Sequence, residues 1–151
     1  MDAVTYPNKV VTEFISRFMI PVKVRYDHKP LSVDFKVRWT PTLIVLDKEG
    51  AEHHRTLGFL RPGALIPSLM LGVGKTHLDL GEPKQAVSKF DELLAKYPKS
   101  DWAAEAVYFR GVALYKSTND PKRLKEAYER LSAEYPNSEW AERAEPYRLL
   151  K

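Results

Sequence analysis

The sequence predicts an α+β segment followed by an all-α array of helical hairpins, and three observations lead there. FDELLAKYPKSDWAAEA, Phe90 to Ala106, returns 38 residues later as YERLSAEYPNSEWAERA, Tyr128 to Ala144. A period in the thirties marks helix pairs stacked side by side, each too small to bury its apolar face alone. From Leu65 onward apolar residues recur at three- and four-residue spacing, the period of a helix face. Before Phe59, short alternating runs bounded by turn residues take over, as strands require.

Bulk properties narrow the function classes. A chain of 151 residues with 44% hydrophobic content suits one domain or two small ones around a packed core. Net charge is +4, with nine Lys/Arg against seven Asp/Glu in residues 1–60 and fifteen against thirteen in 61–151. The excess is spread evenly, so no basic arm or patch for nucleic acid is visible. No apolar run approaches the roughly 20 residues that cross a bilayer. MDAVTYPNKV lacks the basic-then-apolar order of a secretory signal. As written, the chain is expected in the cytoplasm, and in the periplasm if a signal has been lost ahead of it. Cysteine is absent, which removes disulfides, thiolate metal sites and thiol nucleophiles.

Val10, Val11, Phe14, Ile15 and Phe18 lie at helical spacing within residues 8–18, and Pro21 to Tyr26 alternates as a strand. A short polar helix or turn is expected around Pro30 to Phe35. Leu43 to Leu46, the turn Asp47-Lys48-Glu49-Gly50 and a run from about Glu52 to Phe59 read as a hairpin. Leu65, Ile66, Leu69, Met70, Val73, His77 and Leu80 mark one helix, broken at Gly81-Glu82-Pro83. Ala86, Val87, Phe90, Leu93 and Leu94 mark the next, which stops at Tyr97-Pro98 because proline disfavours helical geometry in the residue before it. Ser100 is the expected cap of a third helix carrying Trp102, Ala103, Ala106, Val107, Phe109, Gly111 and Leu114. Asp120-Pro121 supplies a cap and first-turn proline for a fourth, with Leu124, Ala127, Tyr128 and Leu131, ending at Tyr135-Pro136. Ser138 opens a last helix over 138–150.

Met70, Gly74, Ala86, Phe90 and Pro98 resemble the spaced pattern of the tetratricopeptide repeat family: large, small, small, aromatic, closing proline. Gly111, Tyr128 and Pro136 match in a second unit, where Leu124 replaces a small residue and the loop Ser117 to Asp120 is lengthened. A looser helix contact is expected there. The doubled Tyr-Pro-x-Ser with its aromatic and alanines resembles repeats of bacterial envelope and assembly-scaffold proteins. The resulting boundaries are 1–63 for the α/β segment and 64–151 for the array, with units at about 67–100 and 101–136. Two units are few for a free-standing solenoid, so the first segment is expected to cover the N-terminal end of the stack.

Phe35-Lys36-Val37-Arg38-Trp39-Thr40-Pro41-Thr42-Leu43-Ile44-Val45-Leu46-Asp47-Lys48-Glu49-Gly50, continuing to Leu57-Gly58-Phe59, resembles the distal half of thioredoxin-fold proteins. The resemblance implies a cis Thr40–Pro41 bond and a loop, Trp39 to Pro41, that in related redox proteins contacts a substrate peptide. Here that loop would be a vestigial substrate loop, since the family's Cys-x-x-Cys has no counterpart in the chain. The opening Met-Asp-Ala-Val-Thr-Tyr-Pro resembles the stretch just after Cys-x-x-Cys-Lys in such proteins, so the resemblance implies an N-terminally truncated form. A reduced sheet of three strands is expected, with the 8–18 helix on one face, the 62–80 helix adjoining both halves, and residues 1–7 frayed.

Other chemistry is poorly supported. Gly72-Val73-Gly74-Lys75-Thr76 looks like a phosphate loop, but Leu69 occupies the required glycine position and the glycines sit inside an amphipathic helix. His53 and His54 are adjacent, so on a regular strand they point to opposite faces and cannot share one metal ion. No Gly-x-Ser-x-Gly elbow organises a nucleophile. Trp102 and Trp140, at matching repeat positions, are expected to pack against the preceding helix. No cofactor is expected. The function expected is a non-enzymatic scaffold that binds a protein or peptide in a groove which, by the repeat resemblance, is lined by Leu71, Lys75, Tyr108, Val112, Tyr115 and Lys116. Two lysines there favour an acidic or free-carboxylate end. The alternative is a fragment of a thiol–disulfide oxidoreductase with a fused docking domain.

Overall fold

A computed structural model describes all 151 residues. Helix α1 spans Lys9–Phe18, and the single turn α2 spans Leu31–Asp34. Strands β1 (Thr42–Leu46) and β2 (Glu52–Leu57) form an antiparallel hairpin, followed by α3 (Pro62–Asp79), α4 (Pro83–Lys96), α5 (Ala103–Thr118), α6 (Lys122–Glu134) and α7 (Glu139–Ala144). A 3₁₀ segment, Glu145–Leu149, closes the chain, so the single helix expected over 138–150 is divided at Glu145-Pro146. Proline cannot donate the backbone bond that would carry the α-helix onward.

Helix α3 is the shared spine. Ten of its eighteen residues are buried, because partners surround it: α1 and the hairpin on some sides, α4 and α5 on others. A helix walled in on all sides needs apolar residues around its circumference rather than along one stripe. Val11, with Phe14 and Ile15 beside it, fixes α1 to the common core. Asn8 caps α1 by accepting from the N–H groups of Val10 and Val11. At its other end α3 closes with the paired bonds Gly81 N–H to Leu78 O and Glu82 N–H to His77 O, and Gly81 takes φ +77°. That left-handed residue is where glycine carries no Cβ penalty.

The hairpins of the array form as the repeat demands. α3, α5 and α7 make one layer, while α4 and α6 lie between successive members in a second. Both second-layer helices stop at a Tyr-Pro step in the same backbone geometry: Tyr97 at φ −134°, ψ 51° and Tyr135 at φ −136°, ψ 49°. The Tyr135 hydroxyl donates to Pro98 O at 2.7 Å, tying one repeat's turn to the next. Gly74 lies against the buried Phe90 ring, and Gly111 against Ala127, each so closely that an added Cβ has no room. The second contact is therefore as intimate as the first. Ala127, one turn beyond Leu124, is the small residue that meets the glycine, so the loose packing expected from Leu124 does not occur.

Three further expectations are corrected. Residues 21–26 form no strand, and the sheet has two strands rather than three. Alternation supplies the side-chain pattern, but a strand exists only through a hydrogen-bonded neighbour, and this segment runs beside none. Ile20 is 91% exposed and Val22 77%. Residues 1–7 are held rather than frayed: Thr5 is buried and its hydroxyl donates to Leu60 O at 2.6 Å. Ser138 caps α7 by accepting from Ala141 N–H at 3.2 Å, as expected, but Ser100 does not cap α5. The Ser100 Oγ is buried without a partner, and α5 starts three residues later.

Candidate functional site

Ser68, Gly72, Lys75 and Asp79 fall at i, i+4, i+7 and i+11, one stripe of α3. The chain's own hairpin meets that stripe at Ser68, Gly72 and Asp79, while Lys75 turns to Glu105 on the neighbouring α5. At Gly72 a Cβ would come within 2.7 Å of Val45 Cγ2 and 3.1 Å of His54 Cβ, so only glycine lets β1 and β2 settle this closely. His54 is buried, with Nε2 3.0 Å from Ser68 Oγ and its ring edge-on to Trp102 at 5.4 Å. Trp102 in turn donates from Nε1 to Ala64 O at 3.2 Å.

A bulge between Val45 and Leu46 overturns the expectation that His53 and His54 face apart. The extra residue on the bulged strand breaks the alternation, and both rings reach α3. His53 Nδ1 lies 2.7 Å from Asp79 Oδ2, and its Nε2 lies 2.9 Å from Asp47 Oδ2 in the hairpin turn. Asp47 also accepts from Glu49 and Ala51 N–H, which shapes the turn. The two neighbours are tuned oppositely. Burial pushes the His54 imidazole down to about 4, helped by the Lys75 ammonium and opposed by Glu52. Hydrogen bonds to Asp47 and then Asp79 raise His53, and the His53 bond in return holds the Asp47 carboxyl below its ordinary value. His53 and His54 each meet different groups, and no cluster of His, Cys, Asp or Glu is arranged to hold a metal ion.

The six groove residues expected from sequence separate into three groups. Leu71 is entirely buried and belongs to the core, so it faces no partner, a correction forced by α3's enclosure on all sides. Lys75 is half-buried, its Nζ 2.9 Å from Glu105 and 5.1 Å above the Phe109 ring, so its charge is already matched. Tyr108, Val112, Tyr115 and Lys116 lie along α5; the first two are half-buried, Tyr115 is 38% exposed, and Lys116 is exposed. Tyr108 joins an aromatic cluster with Phe109, Trp140 and Tyr147. Its hydroxyl pairs with that of Tyr147 at 2.9 Å, and burial, with the Tyr108 hydrogen bond second, pushes the Tyr147 phenol up to about 12. Tyr147, Glu105 and the hairpin bulge lie outside the residues that sequence reasoning singles out. Asp47, a turn carboxylate near paired histidines, hints at the hairpin contact alone, and nothing local points to Tyr147 or Glu105.

Trp39 and Thr40, with Tyr26, Val37 and Arg38, line an open cleft of about 250 Å³. Trp39 is 67% exposed, and the Thr40–Pro41 bond is cis, as is Lys29–Pro30. Gly72, Val73 and Gly74 lie inside α3, with the two glycines pressed against Val45 and Phe90. No helix is long and apolar enough to cross a membrane. No curated protein and no solved structure matches the chain. The tetratricopeptide repeat family model matches residues 68–100 and 105–138, the stretches that contain the Gly74–Phe90 and Gly111–Ala127 contacts. The second half of the chain thus carries tetratricopeptide repeats, modules whose typical role is to bind other proteins.

Proposed function

We propose that the chain is a non-enzymatic protein-binding module whose docking face lies on α5, over Tyr108, Val112, Tyr115 and Lys116, and that its partner is a peptide with an acidic or free-carboxylate end. The observation that carries this reading is the pairing on one helix of a half-exposed tyrosine with an exposed lysine, while Lys75 nearby is already tied to Glu105. Aromatic area gives affinity at low entropic cost, and a free cation selects the sign of the ligand. The absence of cysteine supports the non-enzymatic part, since thiol–disulfide exchange requires a thiolate.

Lys75→Glu is a poor probe, because it would set two carboxylates against each other at Glu105. The test is a display library of short peptides with free C-termini, selected on the intact chain. Acidic C-termini should be enriched, and Tyr115→Ala/Lys116→Glu should weaken the selected peptides about tenfold or more. Equal binding by wild type and double variant rules the face out.

A second reading treats the chain as part of a thiol–disulfide oxidoreductase, and the cleft lined by Trp39 and Thr40 favours it. The coding sequence ahead of Met1 tests it: an in-frame Cys-x-x-Cys supports this reading, and an immediate stop codon ends it.

A further inference from the structure

We infer that the β-hairpin is a pH-sensitive latch on α3, held shut by an imidazolium at His53 that bridges Asp47 in the hairpin turn to Asp79 at the end of the helix. The geometry demands the charge. Both ring nitrogens lie within hydrogen-bond distance of a carboxylate oxygen, at 2.7 and 2.9 Å. Carboxylates only accept, so both nitrogens must donate, and only the protonated ring carries two N–H groups. A neutral ring can satisfy one carboxylate and turns a lone pair toward the other. One of the two bonds must then open, and the bond to Asp79 is the one that joins hairpin to helix.

The groups facing His53 are Asp47 and Asp79. The next charges, Glu52 on β2 and Lys75 on α3, act on His54 instead. The His53 side chain is 8% exposed and Asp47 6%, whereas Asp79 is 56% exposed. Water therefore enters from the α3 side, where the latch would part. The folded chain holds this proton more tightly than the unfolded one. Its contribution is fully present below the ordinary histidine value of about 6.5 and is lost as pH rises through the raised folded value. His54–Ser68 and Val45–Gly72 hold the strand pair just behind the bulge throughout, so opening is confined to the turn end.

The consequence for partner binding rests on the proposed docking face: the hairpin covers the α3 end of the layer that continues into α5, and the latch decides how much of α3 is accessible. The latch itself is tested without any partner. Proton–nitrogen NMR on the whole chain should show His53 with both ring nitrogens protonated at neutral pH. Amide protection at the turn end, Asp47 and Ala51 to His53, corrected for the intrinsic pH dependence of exchange, should fall several-fold as the ring titrates, while that of Arg55 to Leu57 holds. Asp79→Asn should abolish that pH dependence, since the Asp79 carboxylate bonds only to His53. His53→Gln should give hairpin protection that is low and flat with pH. A His53 ring that is neutral at neutral pH, or protection unchanged through its titration, overturns the latch. So does an Asp79→Asn profile that follows wild type.

Discussion

Exchanging a single methyl group between α5 and α6 tests how the repeats are packed. A Cβ added at Gly111 would collide with the Cβ of Ala127 and lie 3.3 Å from Arg123 O. Both neighbours belong to or sit on backbone, so no rotamer change relieves the collision and the helices themselves must separate. Overpacking of this kind costs about 1–3 kcal/mol. Replacing a mid-helix glycine returns about 1 kcal/mol of propensity, leaving Gly111→Ala destabilised by roughly 0–2 kcal/mol. Ala127→Gly alone loses about 1 kcal/mol of propensity and about 0.8 kcal/mol for the buried methyl, near 2 kcal/mol together. In the double variant the propensity changes cancel and one methyl again fills the contact, from the other side. Its stability should therefore lie close to wild type, with a favourable coupling of roughly 2 kcal/mol or more. Urea unfolding followed by far-UV circular dichroism measures all four corners of the cycle. Additivity within about 0.5 kcal/mol would refute the close approach of α5 and α6 at this point.

Ser138→Ala removes a working cap and should cost about 1 kcal/mol, whereas Ser100→Ala removes a buried hydroxyl without a partner and should be neutral or stabilising. Equal losses at both positions in urea unfolding would contradict the different starts of α5 and α7. His54, held down to about 4 in the folded chain, binds its proton more readily when unfolded. Stability should therefore fall as pH drops from about 6.5 and level off below about 4, by up to about 3 kcal/mol. His54→Gln should flatten that slope in thermal melts taken across the interval, and an unchanged slope would mean that another group is responsible.

The helical half was legible because its signals are local and repeated. Tyr-Pro steps end helices through the restricted geometry before proline, apolar spacing names the buried face, and Gly81-Glu82-Pro83 marks an end whatever lies around it. The hairpin was legible for the same reason, since Asp47 to Gly50 is a turn by its own chemistry. Ser100 and Ser138 show where such reading stops: the same residue in the same repeat context caps one helix and leaves the other uncapped, because the turn leading into α5 positions Ser100 differently. Residues 21–26 carried a strand's pattern and found no partner. The burial of Leu71, the Lys75–Glu105 pair and the stacking of Tyr147 on Tyr108 join residues 30 or more apart, or enclose a helix on every side. Periodicity therefore determined which face of each helix is buried, and the Tyr-Pro steps determined where α4 and α6 end. The tertiary structure alone decided which polar groups meet, because one bulged residue in β2 redirects His53 toward α3, and no local pattern records what a side chain will find across a space between elements.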